Sequence, residues 1–363
     1  MQTIAQLGRT ALILVAVSLA GAALTLILRA GAANDVAIFV VAAITLAALA
    51  GLVGEATDEL GSRLGPASTG VLQSALGNLP ELFISLFALR AGLVVLVQTA
   101  LIGSILANSL LVLGLAFLAG GWRYGLMRFN AAPVRTIAVM LVLAVAALVI
   151  PTIATSPGGP DQGHAVAISV FVSVVLLVIF AASIPYSLGG GRGASVPESS
   201  IDAAERWPMR TTVVVLVGAA VGAAFMSDWF VEALRPAMAT LGLSEAFVGL
   251  VIVAIAGNAV ENVAGIQAAL KGRIDLGISL IQNSSLQVAI ALTPVLVLAS
   301  LFVSPVALTL VLSPTMLVAM AMAAVLGALV VFDGEVTWLE GLMLVGLYLI
   351  IAASVWYGPP VAA

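Results

Sequence analysis

The chain reads as a succession of long apolar runs parted by short polar breaks. Eleven runs stand near residues 10–29, 35–60, 67–90, 94–119, 133–151, 164–187, 211–234, 243–270, 275–302, 307–332 and 336–357. Each approaches the roughly 20 residues that one helical crossing of a bilayer takes. Runs of this length and continuity predict helices, because barrel strands are shorter and alternate. The breaks, among them "RAGAAND", "SPGGPDQGH", "KGRID" and "FDGE", carry the Gly, Pro and charged residues that punctuate helices. The longest, "GGGRGASVPESSIDAAERWPMR", divides the chain into two sets of five helices after one extra helix. The first run, after Arg9, is too long for a signal-peptide core and lacks a clear cleavage site, so it predicts a retained helix.

Composition agrees with that pattern. Of 363 residues, 62% are hydrophobic and only 8% charged, where soluble domains carry about 25% charge. The expected class is therefore an all-α polytopic membrane protein. Cysteine is absent, which excludes disulfides and thiolate metal sites, and the single His164, expected at the surface, excludes a multi-histidine centre. No basic block accompanies the net charge of −4, so nucleic acid is not an expected partner. Loops on the amino-terminal side hold Arg9, Arg63, Arg123, Arg128, Arg135, Arg192, Arg206, Arg210, Lys271 and Arg273, against Arg29, Arg90 and Arg235 opposite. That asymmetry predicts a cytoplasmic amino terminus and an outer carboxyl terminus in a cell membrane.

Within the third run, "GNLPE" at 77–81 places Asn78, Pro80 and Glu81 in apolar surroundings, and "GNAVE" at 257–261 echoes it. A constant shift of 180 residues superposes Gly77, Asn78, Glu81, Ala88, Gly92 and Ser104 on Gly257, Asn258, Glu261, Ala268, Gly272 and Ser284. Each half holds an odd number of helices, so the copies run in opposite senses through the bilayer. The predicted organisation is an extra helix in 1–33, a first five-helix repeat in 34–188, a cytoplasmic linker in 189–210 and an inverted repeat in 211–363. Inverted repeats with matching polar interruptions point to a transporter whose site lies near the midplane.

A carboxylate in hydrocarbon costs about 2.5–3.5 kcal/mol even on the lenient insertion scale, so Glu81 and Glu261 call for a reason. Asn78 and Asn258 lie three residues before them, on a shared helix face. Pro80 and the motif glycines can free backbone carbonyls beside a polar cavity. The following helices add Ser104 and Asn108 in "GSILANSLL", and Gln282, Asn283, Ser284, Ser285 and Gln287 in "QNSSLQ". An oxygen-rich set without His or Cys suits a hard cation, Ca2+ more than a transition metal. The alternative is two protonated, hydrogen-bonded packing residues, and Ser104 and Ser284 fit helix packing equally well. Two further acidic pairs, Glu55 with Glu59 and Asp228 with Glu232, lie near helix ends; each can line an access vestibule or a solvated helix end. Glu55, the deepest, is favoured, and Asp58, Asp333 and Glu335 read as interfacial.

At these residues the sequence resembles the calcium/cation antiporter superfamily, and within it the cation/proton exchangers, commonly Ca2+/H+ antiporters. The matching pieces are "LAALAGLVGEATDEL", "ALGNLPELFISLFALRAGL", "GSILANSLLVLGLAFLAGG" and "GNAVENVAGIQAALKGRIDLGISLIQNSSLQVAIALTPVLV". The resemblance implies eleven helices, direct Ca2+ binding by Glu81 and Glu261, and support from Asn78, Ser104, Asn108, Asn258, Ser284 and Gln287. It also implies that the second and seventh helices slide between inward-open and outward-open forms. Asn262 stands where relatives usually have His, and Asn283 where Gly is expected; both bear on ion preference and proton coupling. The linker holds only Glu198, Asp202 and Glu205, so an acidic regulatory helix of some relatives looks reduced. No HExxH or GxSxG motif points to an enzyme, and no cofactor is expected beyond the transported Ca2+ and H+. Na+-driven exchange is the nearest rival, a cation channel the next; membrane lipid is the expected surrounding, and oligomers are compatible with the sequence.

Overall fold

The computed structural model describes residues 7–31, 34–64, 76–188 and 207–356, nearly all of them helical. Residues 67–75 of the third run, and Glu198, Asp202 and Glu205 of the linker, lie outside the described residues. The helices are α1 (Arg9–Ala30), α2 (Asp35–Leu64), α3 (Leu79–Arg90), α4 (Val94–Tyr124), α5 (Ala131–Thr155), α6 (Ala165–Leu188) and α7 (Met209–Leu241). There follow α8 (Glu245–Gly257), α9 (Ala259–Leu270), α10 (Ile274–Val303), α11 (Pro314–Val330) and α12 (Trp338–Trp356). Eight of these are long and apolar enough to cross a membrane, or nine if α8 and α9, bent by 64°, form one span. The expected eleven additionally takes α3 and α11 as crossings, and that count stays an expectation.

The tenth run, expected from 307, turns helical only at Pro314. Ser313 caps α11 by accepting the Met316 N–H, and Pro314 at the first helical position has no N–H to waste. The extended stretch before it satisfies its backbone on neighbouring side chains. Gln98 donates to the Thr309 and Val311 carbonyls, Thr152 to that of Leu310, and Ser169 and Ser300 accept from the Leu310 and Leu308 N–H groups. Irregular backbone is tolerable at membrane depth only under such terms. The seventh run also extends further than expected, to Leu241, so Arg235 lies in helix.

The 180-residue echo is visible in the backbone. Asn78 (φ −89°, ψ 12°) and Asn258 (φ −109°, ψ 22°) interrupt the helix at matching points. Gly92 and Gly272, at φ 75° and 74°, end α3 and α9 in left-handed turns that favour glycine. The Leu93 and Arg273 N–H groups close these turns onto the Ala88 and Ala268 carbonyls. Both α4 and α10 carry a π-helical turn, Ala107–Val112 and Val288–Leu292, one residue apart in their starts under the same shift. Such turns recur at functional sites.

Packing then brings the motifs together. α8 crosses α4 at very short range: a Cβ on Gly103 would sit 2.3 Å from the Leu250 carbonyl oxygen, and one on Gly249 would sit 2.1 Å from Thr99 Oγ1. Small residues permit such approach where lipid supplies no hydrophobic drive. α7 lies along α2, α1 along α2, α3 against α7, and α9 against α2. A two-residue β-ribbon, Met127–Arg128 paired with Glu335–Val336, joins the α4–α5 and α11–α12 connections.

Candidate functional site

The helix breaks decide where the two glutamates sit. Glu81 is the third residue of α3 and Glu261 the third of α9, so each occupies the first turn of a short helix. A helix N-terminus, with its unpaired N–H groups, favours negative charge. Pro80 falls in the same first turn, where its missing N–H costs nothing.

Glu81 is fully buried. Its carboxylate accepts a short bond from the Ser104 hydroxyl and a longer one, 3.5 Å, from Asn258 Nδ2. Asn258 also donates to Ser104 Oγ at 3.0 Å and accepts from Ser284 Oγ at 3.3 Å. Asn108 donates to Ser284 Oγ at 3.1 Å, and Asn78 to Gln287 Oε1 at 3.4 Å. Behind this row, Ser109 and Ser285 stand 3.4 Å apart, oxygen to oxygen. A Cβ on Gly257 would lie 3.3 Å from Glu81 Cβ, so the first glutamate rests on the backbone of the second motif. The bonds cross repeatedly between halves. Asn258 reaches over 177 positions to Glu81, so the buried carboxylate takes one donor, Ser104, from its own half and one from the other.

Glu261 is half-buried and faces a cavity that is open to solvent on one side. Gly54, Thr57 and Asp58 of α2, Ala264 of α9, and Leu280, Asn283, Ser284 and Gln287 of α10 share its wall with Gly77. Ser284 belongs to both groups: it lines the cavity and bonds Asn258, which bonds Glu81. Of the eight oxygen-bearing residues expected to act together, Glu81, Ser104, Asn258, Ser284 and Asn108 form one bonded row, Glu261, Ser284 and Gln287 line the cavity, and Asn78 bonds Gln287. Gln282 points elsewhere, its amide donating to the Gly327 carbonyl of α11.

Glu55 and Asp228, expected to serve proton coupling or access, do not line this cavity. Glu55 is half-buried on α2 but off the cavity wall, and Asp228 is exposed on α7. Glu59 accepts the Trp207 N–H at 3.2 Å, and Glu232 pairs with Arg29 at 2.6 Å. Asp58, read as interfacial, is the acidic residue of α2 that faces Glu261's cavity. The signal for it was the stripe Gly54, Thr57, Asp58, whose spacing of three and four puts small and polar residues on one face, with Glu55 turned about 100° away. His164 is exposed at the start of α6, as expected. Chemically, an acidic, amide-rich pocket of oxygen donors can hold a hard cation or protons.

Comparison with known proteins gives consistent matches. The family model described as sodium/calcium exchanger protein matches residues 34–189 and 211–357. The Ca2+/H+ antiporter ChaA of Bacillus subtilis is 35% identical over 320 residues, covering 87% of this chain and 90% of that protein. The solved structure of native YfkE superposes with a TM-score of 0.82 at 31% identity, covering 94% of this chain and 99% of that one. The H+/Ca2+ exchanger CAX, at 16% identity and a TM-score of 0.74 over 95% of this chain and 92% of that one, shares the fold.

Proposed function

The chain belongs to the sodium/calcium exchanger protein family, and on that premise we propose that it exchanges Ca2+ for H+ across a membrane by alternating access. The observation that carries the reading is the link between halves: Glu81 of the first motif held by Asn258 of the second, one hydroxyl away from the cavity of Glu261. Glu81 and Glu261 bind the cation. Asn78, Asn258, Ser104, Asn108, Ser284 and Gln287 orient them or add oxygens, and Asp58 draws the cation into the cavity.

A carboxylate at this depth needs a cation or a proton beside it, because an uncompensated charge in low dielectric is costly. Ca2+ and protons therefore exclude one another at the same oxygens. Either loaded form can reorient, and the empty, doubly charged form is disfavoured, which gives obligatory exchange rather than leak.

In this reading the polypeptide makes eleven crossings, with repeats 34–188 and 211–363 inverted and the Arg63 end of α2 in the cytoplasm of the cell. The ten-to-three distribution of basic residues supports that orientation. The cavity then opens inward and the proton gradient drives Ca2+ out. Everted vesicles test this: Ca2+ uptake should follow an imposed pH gradient and stop when it is collapsed, and uptake that continues unchanged would sink the reading. Asn262, buried beside Glu261 with its Oδ1 unpartnered among the described residues, keeps Na+ coupling as the second reading. Replacing the pH gradient by a Na+ gradient separates the two. Asp58→Asn is expected to raise the half-saturating Ca2+ concentration on the cavity side about five- to tenfold with little change in maximal flux, since it removes attraction rather than a ligand. Flux against Ca2+ concentration in oriented vesicles measures it.

A further inference from the structure

At the end of α7 remote from the cavity, two arginines hold the helix from both sides. Arg29, in the last turn of α1, pairs with Glu232 at 2.6 Å and stacks its guanidinium over Trp229, 5.1 Å from the ring centroid. Arg235, one turn further along α7, donates to the Ala91 carbonyl at 3.2 Å. Ala91 caps α3, the helix whose first turn holds Glu81. Between these contacts and the end of α7 lies Pro236, which has no N–H to give to the Glu232 carbonyl four residues back. The helix is therefore weakest in the turn that the arginines grip. At its other end α1 is fastened as well, where Leu7, Ala11 and Ala56 bury Trp207, two residues before α7 begins.

We propose that Arg29 and Arg235 are positioning residues of an outer latch, which holds α7 closed over α3, and that α1 is thereby a working part of the gate. The proposal rests on the alternating-access reading given above. The contrast between the two faces supports it. Beside Glu261, α2 presents Gly54, Thr57 and Asp58 to a cavity; around Arg235, which bonds the far end of α3, α7 buries Val231, Leu234 and Ala237. Access from that second face requires α7 to part from α3, and the Arg235 bond to Ala91 must break for it to do so. An ion pair as exposed as Arg29 with Glu232 contributes little to global stability. It acts instead on an equilibrium between two states of similar energy, where a small bias changes populations severalfold.

The chain has no cysteine, so Ala264→Cys on the cavity wall provides a sole thiol. Its labelling by a membrane-impermeant maleimide from the cavity side reports the fraction of molecules open there. Arg29→Gln should slow that labelling about two- to threefold, and Glu232→Gln, which removes the other partner, should do the same. Combining Arg29→Glu with Glu232→Arg should restore it. Labelling unmoved by both single variants, or left slow by the swap in a protein that melts normally, overturns the latch. Flux through the unsubstituted chain keeps the two questions apart. Without gradient-coupled Ca2+ flux the antiport reading fails, whereas normal flux with unmoved labelling removes the latch alone.

Discussion

Glu81→Gln is expected to cut Ca2+-dependent proton flux in proteoliposomes by at least about 100-fold, at the upper end of what loss of a supporting group costs a metal site. Glutamine has the same shape, and its carbonyl can still accept from Ser104 and Asn258. It cannot offer the charge that a divalent cation needs, nor give up a proton. Its added N–H group meets a fully buried site, so a loss of about 1–3 kcal/mol in stability accompanies the change. Glu261→Gln should lose flux to the same degree and stability less, because its cavity is wide enough for water to satisfy the amide. Melting temperature and flux on the same preparations separate these effects. Either variant retaining more than about a tenth of the flux would remove that carboxylate from the proposed site.

Gly103→Val should be the most damaging change away from the glutamates. Its Cβ alone would come within 2.3 Å of the Leu250 carbonyl oxygen and 2.5 Å of Leu250 Cα, both backbone atoms that no rotamer change can move. α4 and α8 would have to separate, at a cost of about 3 kcal/mol or more, the upper range for overpacking. Separation also withdraws Asn258 from Ser104 and Glu81, so flux should fall with the melting temperature. Gly346→Ala is the control: a Cβ there meets nothing within 4 Å on α12, and both measurements should stay unchanged. A Gly103→Val protein that melts and transports normally would contradict the close crossing of α4 and α8.

The helical runs were legible because apolar length is a direct record of what the bilayer demands. The start of α11 was not. Residues 304–313 are as apolar as a helix, and Gln98, Thr152 and Ser169, far away in sequence, together with the nearby Ser300, satisfy their backbone in an extended form. The paired motifs could be read because a Gly-Asn followed three residues later by Glu is rare inside apolar runs, and the matching backbone angles at Asn78 and Asn258 give that echo a structural counterpart. Asp58 escaped for a different reason. The four-residue spacing of Glu55 and Glu59 drew attention to a face of α2 whose second member turns to the Trp207 N–H, 148 positions away. Periodicity locates a face; only tertiary packing says which face meets the cavity. Asn283 is a case between the two. Under the 180-residue shift it corresponds to Gly103, and where Gly103 admits α8 at close range, the Asn283 side chain lines the open space instead.

The small ribbon of Met127–Arg128 and Glu335–Val336 has a bearing on how such a molecule would work. With the Arg128–Glu335 pair and the bond that the Asn130 N–H donates to Asp275, it clamps the ends of α4, α5, α10 and α12 to one another. Those helices supply Ser104, Asn108, Ser284 and Gln287, so half of the eight residues of the proposed site stand on a stator that need not deform, while Glu81 and Glu261 stand on α3 and α9. The ribbon does not reach α1, α2 and α7, which pack together through α2, and under the proposed alternating access these three can travel as a shutter past that stator. The supporting hydroxyls and amides would then be spared during the stroke, and selectivity and speed could be altered separately, one in the stator and the other in the shutter.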